Sequence, residues 1–259
     1  MTTATPQQKI SPLLSPGNPA LRASAFLHPA SPAPHMTFSD ALHRSAVMLA
    51  ITVATAGLVW HQASSPGDHT LLLIWLAGGG FGAALVLMLM AGFVKPTLPY
   101  TAPLFAVAYG LTVGVMTVLA EKLYPGVAIQ AAGLTFCLMA CILVSFRRAR
   151  PEVIARWRRT LRHALAAVAL MYLIALPLTW AGLPLRLFHE GRPMDMLLIL
   201  GALLLAAYKI QLDLDFIEAH ARGHVPKYMA WYCAIGLLVT LVWCHASAML
   251  WLLQFKRRS

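Results

Sequence analysis

Three acidic residues near the end of one apolar stretch are the first candidates for chemistry in this sequence. Asp213, Asp215 and Glu218 alternate with apolar residues, and Lys209 precedes Asp213 by one helical turn. Charged side chains at membrane depth carry a large free-energy penalty, and they commonly mark ion or proton sites. The other acidic residues fall in loops or at the ends of apolar stretches. We therefore identify Asp213, Asp215 and Glu218 as candidate pore or pH-sensing residues, with a solvated helix end as the alternative.

Histidines and cysteines give weaker signals. His220 and His224 are four residues apart, which is the spacing of a two-histidine metal face, but Gly223 and Pro226 disfavour a regular helix there. The four cysteines lie in apolar stretches without the spacing of a disulfide framework or a thiolate metal site. No nucleophile motif or zinc-protease motif is present. We therefore predict no metal site, no catalytic residues and no resident cofactor. Of the functions considered for this protein, an intramembrane enzyme or a solute transporter is the least favoured.

The elements that must position these residues are long apolar runs. Of 259 residues, 59% are apolar and 11% are charged, whereas about 25% of an ordinary soluble domain is charged. Runs of about 20 residues span about 30 Å of hydrocarbon as helices, and none of these runs has the two-residue period of a membrane strand. The sequence predicts an all-α integral membrane protein, a bundle of seven transmembrane helices at approximately Ala41 to Trp60, Leu71 to Val94, Tyr100 to Ala120, Val127 to Phe146, Ala164 to Leu183, Met196 to Leu212 and Met229 to Leu253.

Residues 1–36 differ in composition from the rest of the chain. Proline recurs among serine, alanine and threonine, so no helix can run through this segment and little apolar surface can be buried. The polar start lacks the pattern of a cleavable signal peptide. We predict a disordered tail over residues 1–36, followed by a transmembrane domain over residues 37–259.

Small residues indicate where the predicted helices approach one another closely. Gly78 with Gly82, and Gly110 with Gly114, are pairs four residues apart, the spacing that lets two membrane helices pack backbone to backbone. Both pairs therefore permit close packing of helices.

The basic residues indicate the orientation in the membrane. The net charge is +11, but the lysines and arginines cluster between apolar runs, a pattern typical of a membrane protein rather than a nucleic-acid-binding one. With seven spans, 14 of the 20 fall on the side of the N-terminus, which the positive-inside rule places in the cytoplasm. The alternative to seven full spans is that the last apolar run enters and leaves the membrane on the same side. The C-terminus would then lie on the inner side of the membrane rather than the outer side. The densest cluster is predicted to lie on the inner membrane surface: Arg147, Arg148, Arg150, Arg156, Arg158, Arg159 and Arg162.

Four separated segments together resemble the bacterial YccA-like branch of the Bax-inhibitor family, the transmembrane Bax-inhibitor-motif proteins. They occur in the expected order along the chain, and Asn18-Pro19-Ala20 also resembles that branch. The four segments are Tyr124 to Ala131, Asp213 to Glu218, Pro226-Lys227 with Trp231-Tyr232, and Gly236 to Trp243.

The resemblance implies a bundle with its last helix at the centre, in the bacterial inner membrane with a cytoplasmic N-terminus. It also implies a pH-sensitive calcium leak, in which a carboxylate on the sixth helix shares a proton with one on the seventh. Asp213 matches the first carboxylate, whereas Ser247 stands where we align the second, because no acid follows Glu218. His245, two residues before Ser247, is a candidate replacement that could pair with Asp213 when protonated. The alternative is that His245 simply packs or forms a hydrogen bond within the bundle.

Two functions remain open at this point. The first is a cation leak through which Ca²⁺ passes transiently. The alternative is a non-channel partner of a membrane protease or of stress-response machinery, since the family's bacterial members are also associated with membrane-protease quality control. In both cases the lipid bilayer is a partner of the protein, and nucleic acid is not.

Overall fold

The computed structural model of the chain describes residues 35–65, 67–146, 193–223 and 225–258. Within those ranges the chain is helical apart from short connections, and it contains no strand. A 3-10 turn, Lys95–Thr97, joins the second helix to the third. The helices are α1 (Phe38–Ala63), α2 (Thr70–Phe93), α3 (Leu98–Leu123), α4 (Val127–Phe146), α5 (Pro193–Ala221) and α6 (Met229–Arg258).

All six described helices are long and apolar enough to cross a membrane, as judged from length and composition. They correspond to six of the seven predicted runs, with α5 and α6 as the sixth and seventh. The all-helical membrane architecture is therefore confirmed. The predicted fifth span, Ala164 to Leu183, lies outside the described residues, as do the arginine cluster from Arg147 to Arg162 and most of the predicted tail.

The start of α1 follows directly from its sequence. The Thr37 hydroxyl accepts a hydrogen bond from the Asp40 backbone N–H (3.0 Å), and the Asp40 carboxylate accepts one from the Thr37 N–H (3.1 Å). This reciprocal capping box satisfies two backbone donors that a helix start otherwise leaves without partners. Pro193 is the first residue of α5. Proline fits this position because the backbone N–H of the first helical residue has no partner within the helix.

The described residues form two compact units. The first unit holds residues 35–119 and 213–239, and the second holds residues 120–146, 193–212 and 240–258. Among the six described helices, α6 is the most enclosed, because 67% of its apolar stretch is buried, against 17–50% in the others. Most side chains in the apolar stretch of α6 are therefore covered by other parts of the chain, whereas a larger share of the other apolar stretches is exposed.

Glycines set the packing distances in the first unit. A methyl group added at Gly110 would lie 2.8 Å from the Thr52 carbonyl oxygen, and one added at Gly80 would lie 2.8 Å from the Ala108 carbonyl oxygen. Only a residue without a side chain permits helices to approach this closely. Thr52 adds a tie between α1 and α3, because its hydroxyl donates to the Ala106 carbonyl (3.1 Å).

The connection between α3 and α4 is fixed by a carboxylate in the second unit. Glu121 accepts hydrogen bonds from the backbone N–H of Gly126 (2.7 Å) and of Ala128 (3.1 Å). Gly126 has a φ of 86°, a conformation that favours glycine. The Lys256 ammonium of α6 donates to the Pro125 carbonyl (2.9 Å). The carboxylate therefore caps the start of α4, where two N–H groups would otherwise lack acceptors.

Candidate functional site

The most deeply buried charges of the described chain lie on α5. Asp213 has no exposed surface, and Lys209, one helical turn earlier, is 3% exposed. Both side chains make polar or electrostatic interactions. A buried charge without compensation costs several kcal/mol, so the surroundings of these two residues must balance their charge.

The other two candidate acids of α5 are more accessible than Asp213. Asp215 is partly buried. Glu218 forms an ion pair with Arg222 at the exposed end of the helix, and its side chain is 38% exposed. Exposed ion pairs of this kind contribute little to stability. Glu218 thus lies in the solvated environment that the sequence left open as the alternative.

His220 is buried and lies on a helix, although Gly223 and Pro226 disfavour a regular helix in this region. Its Nδ1 lies 2.8 Å from the Phe216 carbonyl oxygen, and its ring centroid lies 3.9 Å from that of Phe216. Helix α5 continues to Ala221, so His220 lies on the helix and is held by the preceding turn. In the part of the chain that the structure describes, no three His, Cys, Asp or Glu side chains form a group that could hold a metal ion.

A buried wall of α6 lies near Asp213 in the first unit. The Cys233 thiol is completely buried and lies within electrostatic range of the Asp213 carboxyl group. Its sulfur is 3.9 Å from the Met36 sulfur. Met36 is 1% exposed, although it belongs to the segment that the sequence predicts to be disordered. The chain immediately before α1 thus reaches the buried face of α6.

A set of polar contacts fixes this N-terminal segment to the connection between α5 and α6. The Met36 N–H donates to the Val225 carbonyl (2.8 Å). Arg44 donates to the Lys227 carbonyl (2.7 Å) and lies 5.0 Å from the centre of the Trp231 ring. The Lys227 ammonium lies 4.0 Å from the Asp40 carboxylate. Sequence reasoning missed these contacts. Two features of the sequence could have indicated them: Arg44 lies near the start of the first span, and the proline-rich composition of the tail ends at Pro34.

His245 and Ser247 belong to the second unit. Ser247 is 3% exposed. The His245 Nδ1 lies 3.3 Å from the Thr135 hydroxyl oxygen, and the same hydroxyl donates to the Ala131 carbonyl (2.7 Å). The tautomer of His245 determines which atom of the His245–Thr135 pair donates. The pairing of His245 with Asp213 stays a prediction.

The helices and their buried charges define a polytopic, all-helical integral membrane protein. A profile of the Bax inhibitor 1 like family matches residues 7–258, which is nearly the whole chain. The protein therefore belongs to the Bax inhibitor 1 like family, as its resemblance indicated. No curated protein matches the sequence.

Proposed function

We propose that this protein conducts a slow, pH-sensitive leak of cations, with Ca²⁺ as a transient ligand and Asp213 as the controlling residue. The observation that carries the proposal is the complete burial of the Asp213 side chain on a helix that is apolar enough to span a membrane. An ionisable residue at such a position is costly, and in membrane proteins it commonly belongs to an ion or proton pathway.

The chemistry of α5 supports a cation as the ligand. Ca²⁺ binds oxygen ligands, carboxylates above all, and Asp213 supplies one buried carboxyl group on α5, with Asp215 two residues later. Loss or gain of a proton at a buried carboxyl group changes the charge that its neighbours must balance. The helices that pack around such a group can therefore adopt two arrangements, and the populations of these arrangements change with pH.

The proposal is tested by Ca²⁺ flux from proteoliposomes that contain the purified protein, measured across pH. We expect Asp213→Asn to change both the flux rate and its pH profile, because the amide cannot exchange a proton in this range. Asp68→Asn is the matched control, because Asp68 lies in the connection between α1 and α2 and its amide can still accept the Thr70 N–H. Asp68→Asn should therefore leave both the rate and the profile unchanged.

Two results would count against Asp213 as the controlling residue. If Asp213→Asn and the parent protein give the same flux at every pH, Asp213 has no part in the mechanism. If folded parent protein gives no flux at any pH, the leak itself is refuted. That second result would favour the alternative function, a non-channel partner of a membrane protease or of stress-response machinery.

The same proposal includes the location of the protein. We place it in a bacterial inner membrane with its N-terminus in the cytoplasm. The support is the excess of lysine and arginine on the side of the N-terminus, 14 of 20 residues in a seven-span arrangement. The ends of α5 and α6 that meet at residues 222–228 would then face the cytoplasm.

A further inference from the structure

We propose that Met36, just before the start of α1, is a releasable plug that closes the face of α6 beside Asp213. The plug is Met36, and the contacts that fix it to the connection between α5 and α6 are called the latch. An effect of the plug on ion flux rests on the cation leak proposed above. The presence of the plug does not depend on that leak. The residues of the latch are His35, Asp40 and Arg44 on one side and Val225, Pro226, Lys227 and Trp231 on the other.

The position of Met36 supports its role as a plug. Its side chain is almost completely buried, and its sulfur contacts the sulfur of Cys233. Cys233 in turn lies within electrostatic range of Asp213. Removal of Met36 from this position would therefore uncover the Cys233 thiol.

The start of α1 fixes where Met36 can lie. The capping box of Thr37 and Asp40 immediately follows Met36, so the backbone changes from extended to helical at that point. The isolated bridge between His35 and Pro226 and the hydrogen bond from Met36 to Val225 hold the residues just before it. Met36 thus has contacts on both sides that direct it to α6.

The latch is weak enough to open without unfolding of the helices. Lys227 and Asp40 are 4.0 Å apart and are 49% and 28% exposed, and partly exposed pairs of this kind contribute little. The Arg44 hydrogen bond to the Lys227 carbonyl is the strongest single contact, because its donor is charged. Local openings of this kind occur in folded proteins wherever few buried contacts hold a segment.

The plug is tested by the reactivity of Cys233 toward a membrane-impermeant maleimide. The full-length protein in proteoliposomes carries Ser at positions 137, 141 and 244, so that Cys233 is the reporter. We expect Met36→Ala and Arg44→Gln each to raise the labelling rate by about tenfold, since loss of one such contact shifts a local opening equilibrium by this order. Met48→Ala is the matched control, because Met48 is also fully buried but makes none of the contacts that define the latch, although it lies one helical turn after Arg44 on α1.

Calcium flux measured on the same variants separates this inference from the proposed function. If the plug gates the leak, Met36→Ala and Arg44→Gln raise flux as well as labelling, and Met48→Ala raises neither. Raised labelling with no flux from any variant, the parent included, would support the plug and refute the leak.

Two results would overturn the plug. The first is an unchanged labelling rate in both Met36→Ala and Arg44→Gln, when both variants elute from size-exclusion chromatography like the parent. The second is an equal rise in Met48→Ala, which would indicate general loosening of the first unit. Arg44→Gln keeps the test decisive if Met36→Ala fails to fold, because Arg44 acts at the end of the bundle and is only half-buried.

Discussion

A methyl group at Gly110 should destabilise the first unit, whereas the same change at Gly78 should not. The Cβ of Gly110→Ala would lie 2.8 Å from the Thr52 carbonyl oxygen and 2.8 Å from the Thr55 Cβ. Carbon atoms in contact are normally 3.5 to 4.0 Å apart, so α1 must move by roughly 1 Å to accept the methyl group. A Cβ at Gly78 meets nothing within 4 Å in the described part of the chain.

The magnitude follows from two destabilising effects and one effect that opposes them. Overpacking of a close helix contact typically costs about 1–3 kcal/mol. The shift of α1 also strains the Thr52 hydrogen bond to Ala106, 3.1 Å long, and such bonds contribute about 1 kcal/mol. Against this, alanine is favoured over glycine in a helix by up to about 1 kcal/mol. We therefore expect Gly110→Ala to lower the free energy of unfolding by about 2 kcal/mol.

Reversible unfolding in mixed detergent micelles measures this difference directly. For Gly78→Ala, only the helix-propensity effect remains, so the free energy of unfolding should stay the same or rise by up to about 1 kcal/mol. The reasoning is wrong if the two variants have the same free energy of unfolding. It is also wrong if Gly110→Ala is the more stable of the two.

Two further predictions concern the connections between helices. Glu121→Ala removes the carboxylate that accepts hydrogen bonds from Gly126 and Ala128, so it should lower the free energy of unfolding by about 2 kcal/mol. Lys122→Ala, at an exposed neighbouring residue, is the control and should change the free energy of unfolding by less than about 0.5 kcal/mol. Equal effects of the two variants would contradict the capping role of Glu121. In a cysteine-free background, Arg156→Cys in intact cells should resist an impermeant thiol reagent from outside, and a rapid external reaction would refute the cytoplasmic assignment of the arginine cluster.

Most of the fold could be predicted from the sequence, because the membrane limits the choice of structure. Six of the predicted apolar runs coincide with described helices, since hydrocarbon thickness fixes span length and only helices satisfy the backbone within a run. The close approach at Gly110 and Gly114 was also predicted correctly. Both glycines would place a Cβ less than 3.0 Å from α1.

The spacing of residues along one helix could not indicate which face of that helix meets a neighbour. Gly78 and Gly82 have the same spacing as Gly110 and Gly114, yet a Cβ at either would meet nothing within 4 Å among the described residues, and Gly80 makes the close contact instead. Spacing along one helix cannot indicate which face is covered, because that depends on the partner helix. The contact of Met36 with Cys233 was missed for the same reason, since 197 residues separate them.

Asp213 and Glu218 show why burial rather than residue type indicates where function lies. They are five residues apart, so their side chains leave the helix axis about 140° apart. One has no exposed surface, whereas the other forms an exposed pair with Arg222. An exposed ion pair is worth at most about 1 kcal/mol, and water can replace either partner. No such replacement is open to Asp213, so any change of its charge must be answered by the protein around it, and Cys233, which lies within electrostatic range of Asp213, is one residue that such a change would affect.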